Sequence, residues 1–187
     1  YRAEWHIDPL LDNFEYDLTD TELVINNVKD KTVTELIVPD YVTSISSGAF
    51  SGCITIESVT MPAMAIPFVP KNNLRTVVIN AGDTIPSDAF ANCKNLVNIT
   101  IPNSVTKFGS HAFNECDNLE KVNFTGDIAD WCEITFASDR SNPLYYGHLY
   151  INNVLTKDIV IPGSVSEIKD YAFFYSDITD ISIPDSV

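Results

Sequence analysis

Four cysteines, three histidines and twenty-six carboxylates are the side chains in this sequence best equipped to do chemistry. Cysteine can attack as a thiolate, ligate zinc or close a disulfide, and each use demands a particular neighbourhood. Cys53, Cys93 and Cys116 share one neighbourhood: each stands three places after the Phe of an Ala-Phe pair, in AFSGC, AFANC and AFNEC. A fourth Ala-Phe, in AFFYS, carries Ser176 at that place. A nucleophile is built once, whereas a small buried hydrophobe that serine can replace is needed wherever the same turn recurs. No C-x-x-C and no clustered Cys/His spacing is present, so neither zinc nor redox chemistry is indicated. Adjacent coils would hold Cys93 and Cys116 with parallel side chains and Cβ atoms about 4.8 Å apart, beyond usual disulfide geometry. Four free thiols are expected; Cys132, beside Trp131, lies outside the column without an obvious partner.

The other candidates are weaker. His6, His111 and His148 are scattered, and His111 occupies a place taken elsewhere by Gly48, Asp88 and Tyr171, which suggests a variable, outward position. Asp127 and Asp130 lack a visible partner for acid-base work. Nothing resembles G-x-S-x-G, H-E-x-x-H, a P-loop or G-x-G-x-x-G. Asn98-Ile99-Thr100 and Asn123-Phe124-Thr125 fit the N-glycosylation pattern, a weak signal. The net charge of −15 opposes phosphate backbones and anionic lipid heads. Acidity is steep over residues 1–40, where ten Asp and Glu face three Lys and Arg. A solvated flank is the simpler reading and a cation site the sharper one, but no D-x-D-x-D-G loop supports the latter. No catalytic residue, cofactor, metal or nucleic-acid partner is expected.

What must position these residues is a repeat. The pattern φ-x-x-φ-x-φ, with φ apolar, ends at Val38, Met61, Ile79, Ile101, Phe124, Ile161 and Ile183, and most steps between copies are 22 or 23 residues. Its second half alternates with period two, as in a short strand with one buried face, and Pro follows directly at 39, 62, 102, 162 and 184. A loop then leads to the Ala-Phe pair, in a stretch with room for one helical turn. Strands of about five residues cannot stand alone, so the units must stack and share a core, as a right-handed solenoid with equivalent residues in columns. Phe50, Phe90, Phe113 and Phe173 form one column.

Two stretches depart from the pattern. Residues 62–79 carry three prolines and no Ala-Phe, which predicts a short coil without the helical turn. The step from Phe124 to Ile161 is 37 residues and contains LYINNV, an echo of LVINNV at 23–28; Asn-Asn in each reads as a two-residue hairpin turn. Residues 1–32 are therefore read as an N-terminal flank and hairpin cap. Residues 33–187 are read as the solenoid, with an insertion and second hairpin at 125–158, all one structural domain. The absence of an initial Met and the stop at IPDSV in mid-pattern suggest a piece of a longer protein. No apolar run approaches the roughly 18 residues that span a bilayer, and YRAEWHIDPLLDNFEYD is acidic where a signal peptide is basic, so a soluble mature chain is expected.

The remaining candidate site is a surface. The outward strand positions align across coils, giving Ser58, Thr76, Asn98 and Lys121 in one column and Thr60, Thr100 and Asn123 in the next. Such a wide polar face suits a protein or glycan ligand better than a transition state. Trp131, Phe136, Tyr145, Tyr146 and Tyr150 cluster in the insertion, where most are expected to pack and exposed ones, with Tyr145 and Tyr146 foremost, to act as binding anchors. The alternative is a plain solvated face with binding elsewhere.

IPNSVTKFGSHAFNECDNLEKVNF, IPDYVTSISSGAFSGC and IPGSVSEIKDYAFFYS closely resemble the BspA-like leucine-rich repeat, over roughly residues 33–187. The resemblance implies a leucine-rich repeat solenoid: a parallel β-sheet on one, concave face, with short helical turns and loops on the other. It further implies an extracellular or cell-surface setting, mainly bacterial, and adhesion to a host extracellular-matrix protein or to other bacteria. No ligand residue carries over, because the motif is a core motif. A non-enzymatic, surface or secreted recognition module for a protein or carbohydrate is thus expected, without membrane insertion of this segment; the alternative is a structural spacer or stalk presenting another domain.

Overall fold

Alternating apolar residues ended by proline fold here as expected, into short strands that bury one face and stop, except at the last copy, where Asp180–Ser182 is exposed throughout. The computed structural model describes residues 8–187; His6 and the start of the acidic flank lie outside them. Strands Glu35–Ile37, Ser58–Pro62, Thr76–Ala81, Asn98–Ile101, Lys121–Phe124 and His148–Ile151 form one parallel ladder, closed by the antiparallel Val154–Leu155. Their register sets Leu36, Val59, Val77, Ile99, Val122 and Leu149 side by side, all buried. Each such side chain contributes about 1.5–3 kcal/mol when buried, which only stacking makes possible for strands this short.

Behind this front ladder runs a second one. Thr84–Ile85, Lys107–Phe108 and Thr135–Phe136 pair in parallel, and Ser44–Ile45 pairs with Val24–Ile25. The Ala-Phe stretch, whose spacing points to one helical turn, closes instead as successive turns. In the first coil, Ala49 N donates to Ser46 O, Ser51 N to Gly48 O and Cys53 N to Phe50 O. Two residues of each such stretch are left-handed: Gly48 and Gly52, Asp88 and Asn92, His111 and Glu115, Tyr171 and Tyr175, all with φ between 55° and 84°. The proline-rich coil departs the other way, because Ala63–Ala65 forms a 3-10 helix where none was expected. Pro62, at φ −67°, ψ 151°, stands before that turn and Pro67 after it, so the prolines bound the turn rather than break it.

The two Asn-Asn echoes fold differently. Asn152 and Asn153, at φ 49° and 68°, make the expected hairpin turn between His148–Ile151 and Val154–Leu155. Asn26 and Asn27 instead lie inside the continuous strand Leu23–Val28, whose antiparallel partner is Phe14–Leu18. The N-terminal hairpin turns at residues 19–22, and its register skips Asn26 as a bulge. Ile25, paired with both Tyr16 and Ile45, and Asn27, paired with Glu15, keep the strand continuous through this Asn-Asn.

Within residues 125–158 the ladder continues, since His148–Ile151 lies in register on Lys121–Phe124. The helix Ile128–Cys132 opens this coil on a capping box: Asp127 accepts from Asp130 N at 2.9 Å, and Asp130 accepts from Asp127 N at 3.0 Å. These carboxylates serve the helix end. Asp158–Val160 and Asp180–Ser182 form a separate two-stranded sheet. Its coil is fastened behind, where Trp131 Nε1 donates to Ala172 O at 2.8 Å and Asn142 Nδ2 to Tyr171 O at 2.7 Å.

Phenylalanines fill the interior. Phe90 stacks on Phe113 with centroids 5.3 Å apart, Phe108 on Phe136 at 5.1 Å, and Phe124 meets the edge of Trp131 at 5.3 Å. Phe50 is fully buried, and Phe173, near the last sheet, partly so.

Candidate functional site

The cysteines are placed to be inert. All four are free and buried, including Cys132. Burial pushes the Cys93 and Cys132 thiols up to about 11 and raises those of Cys53 and Cys116 too. The Cys116 thiol donates to Phe90 O at 3.1 Å, tying one coil to the one before. A buried thiol held in its protonated form is a poor nucleophile at neutral pH. Among the described residues no group of three His, Cys, Asp or Glu is arranged to hold a metal ion. No described helix is long and apolar enough to cross a membrane.

The strand face is open over its first rungs and shut at the fifth. Ser58, Thr76 and Asn98 lie adjacent in register, as do Thr60, Val78 and Thr100, all partly exposed. Lys121 continues the first column, also partly exposed. Asn123, expected to face a ligand, is only 2% exposed. The hairpin at 152–153 folds across it: Asn153 N donates to Asn123 Oδ1 at 2.6 Å, and Lys121 Nζ donates to Asn153 Oδ1 at 2.8 Å. That ammonium also lies 4.9 Å from the Tyr150 ring centre. Strand alternation placed Asn123 outward correctly, but a later segment covers that side.

The insertion aromatics divide into core and surface. Trp131 and Phe136 are buried, whereas Tyr145 and Tyr146, at the end of the 3-10 turn Pro143–Tyr145, remain partly exposed. The Tyr146 hydroxyl accepts from Glu115 N at 2.8 Å and from Arg140 Nη1 at 3.1 Å. The Arg140 guanidinium lies 3.8 Å from the Tyr145 ring centre. Three aromatics of the next coil join them: Tyr175 stacks on Tyr145 with centroids 4.7 Å apart, Phe174 lies 6.3 Å from Tyr145, and Tyr171 meets Phe174 edge-on. The sequence marked Tyr171 only as an occupant of a variable outward position and passed over Phe174 and Tyr175, although FYS stands where other coils carry SGC, ANC and NEC.

A parallel β-solenoid of about seven turns, with few helices and a polar strand face, defines a repeat scaffold. The chain belongs to the BspA type leucine-rich repeat family, whose model matches six copies over residues 26–142 and 146–187. It is similar to a leucine-rich cell surface protein of Faecalibacterium prausnitzii A2-165, at 23% identity and a TM-score of 0.48 over 67% of this chain and 41% of that one. It is also similar to a leucine-rich repeat protein of Bacteroides ovatus ATCC 8483, at 21% identity and a TM-score of 0.40 over 94% of this chain and 41% of that one. A Treponema pallidum leucine-rich repeat protein aligns over 92% of this chain and 69% of its own, at 20% identity and a TM-score of 0.35. The chain thus spans about two fifths of the length of the first two. No curated protein matches it.

Proposed function

We propose that this chain is a non-catalytic recognition module, displayed on or secreted from a cell, that binds a protein or carbohydrate of a host matrix. Its binding surface consists of the strand face and the exposed insertion aromatics. The observation that carries this reading is the open, in-register array of Ser58, Thr60, Thr76, Asn98 and Thr100. Rigid neighbouring strands present these side chains at a spacing set by the backbone ladder, so little ordering entropy opposes a ligand that matches it. Lys121 flanks the array, partly engaged by the hairpin. The extracellular setting follows from the family resemblance.

Binding to immobilised matrix proteins and to a glycan array tests the reading. Thr60→Lys combined with Thr100→Lys should weaken binding about tenfold or more, as obstruction within an interface core does, while thermal unfolding stays nearly unchanged. Binding that survives both this pair and Tyr145→Ala with Tyr146→Ala would show that the recognition surface lies elsewhere.

A further inference from the structure

Tyr145, Tyr146, Tyr171, Phe174 and Tyr175 form one continuous aromatic patch drawn from two coils. Tyr175 is 70% exposed, Tyr171 42% and Phe174 40%, so rings that elsewhere would fill the interior face water side by side. The backbone makes this more pointed. Tyr171 and Tyr175 sit at φ 65° and 59°, in the two left-handed columns that other coils fill with Gly, Asp, Asn, His or Glu. Bulky side chains are disfavoured there, yet this turn carries two, and both are exposed.

The surroundings are acidic. Residues 125–187 hold ten Asp and Glu against three Lys and Arg. Asp170, exposed and in no ion pair among the described residues, directly precedes Tyr171, whereas Asp177 is already held by Lys157 and His148. An aromatic face is the negative end of a ring quadrupole, so exposed ring faces on an acidic segment attract cations. The chain's own cations already use such faces, Arg140 on Tyr145 and Lys121 on Tyr150.

We propose that this patch docks a positively charged segment of a protein partner, with lysine or arginine side chains laid on the open faces of Tyr171, Phe174 and Tyr175. The proposal rests on the reading of the chain as a recognition module and assigns its partner's chemistry. A neutral glycan would use the rings but gain nothing from the acidity of the segment, whereas a basic protein gains from both and is steered by the net charge of −15.

The test uses the whole chain and short fluorescein-labelled peptides, one alternating Arg with Ser and one alternating Glu with Ser, with a chito-oligosaccharide as the glycan probe. Asn92 shows that asparagine suits these left-handed positions, so Tyr171→Asn with Tyr175→Asn should keep the fold, as a thermal melt verifies. The arginine peptide should bind, the glutamate peptide should not, and the double variant should weaken binding by about fivefold or more, the size of a cation–π contact, also at physiological salt. Equal binding by wild type and variant would reduce the effect to diffuse charge attraction and overturn the proposal. So would no binding of the arginine peptide, or oligosaccharide binding that the variant abolishes. If the patch fails while Thr60→Lys with Thr100→Lys still abolishes matrix binding, the recognition reading stands and the docking site falls.

Discussion

At the residue scale, the back of each Ala-Phe coil is decided by two positions that turn left-handed. Gly48, at φ 84°, has open space where a Cβ would point, so Gly48→Ala isolates conformational strain and should cost about 1 kcal/mol. Gly109 makes the opposite demand: a Cβ there would lie 2.3 Å from Ser87 N, and backbone cannot move aside as a side chain can. Gly109→Ala should therefore lower the urea midpoint clearly further than Gly48→Ala, at an unchanged slope. The sequence showed the first of these columns as Gly, Asp, His and Tyr, which reads as freedom. The requirement lies in the backbone, and side-chain identity conceals it. The recurrent cysteines were legible for the converse reason, since recurrence next to Ala-Phe is a side-chain packing signal.

At the scale of elements, the front strands were readable because an apolar period of two persists over several residues and repeats. The second ladder was not. Thr84–Ile85 and Thr135–Phe136 are two residues each, too short to show a period, and they become strands only by pairing with neighbouring coils. Another inter-coil device is a column of asparagines before leucine. Asn73, Asn95 and Asn118 each donate from Nδ2 to a backbone carbonyl of the preceding coil, at 2.7, 2.7 and 2.6 Å. Asn95→Ala should cost about 1 kcal/mol in chemical unfolding, the net worth of such a bond, and Asn95→Asp at neutral pH at least as much, because it removes the donor. The last sheet is fastened by charge. Burial pushes the Asp177 carboxyl up, but hydrogen bonds from Lys157 at 3.1 Å and His148 at 2.8 Å outweigh this and hold it below its ordinary value of 3.8. The folded state thus favours the ionised form, so its contribution is complete above pH 3.8 and disappears as pH falls through the lower folded value. Hydrogen exchange on acidification should release strands Asp158–Val160 and Asp180–Ser182 before the front ladder, and Asp177→Asn should remove that pH dependence.

Across the whole molecule, each coil leans on its neighbours, so damage to one interior column spreads along the stack. Phe113 lies between Phe90 and Phe108, at 5.3 and 6.0 Å, and Phe113→Ala should cost about 3–5 kcal/mol. Calorimetry should show a strongly lowered melting temperature; an unchanged one would contradict a shared core. The candidate site was legible only in part at this scale. The alignment of Ser58, Thr76 and Asn98 followed from repetition, but the covering of Asn123 depends on where a hairpin returns, and the aromatic patch depends on two distant segments meeting.

That hairpin also guards the protein against itself. A parallel ladder ending on His148–Ile151 would offer its free N–H and C=O groups as a template to a second molecule. Val154–Leu155 occupies that border with only two residues, leaving too little exposed backbone to be copied. Deleting the Asn152–Leu155 loop would uncover the template, and fibrous self-association, seen as thioflavin fluorescence, is the failure expected to follow.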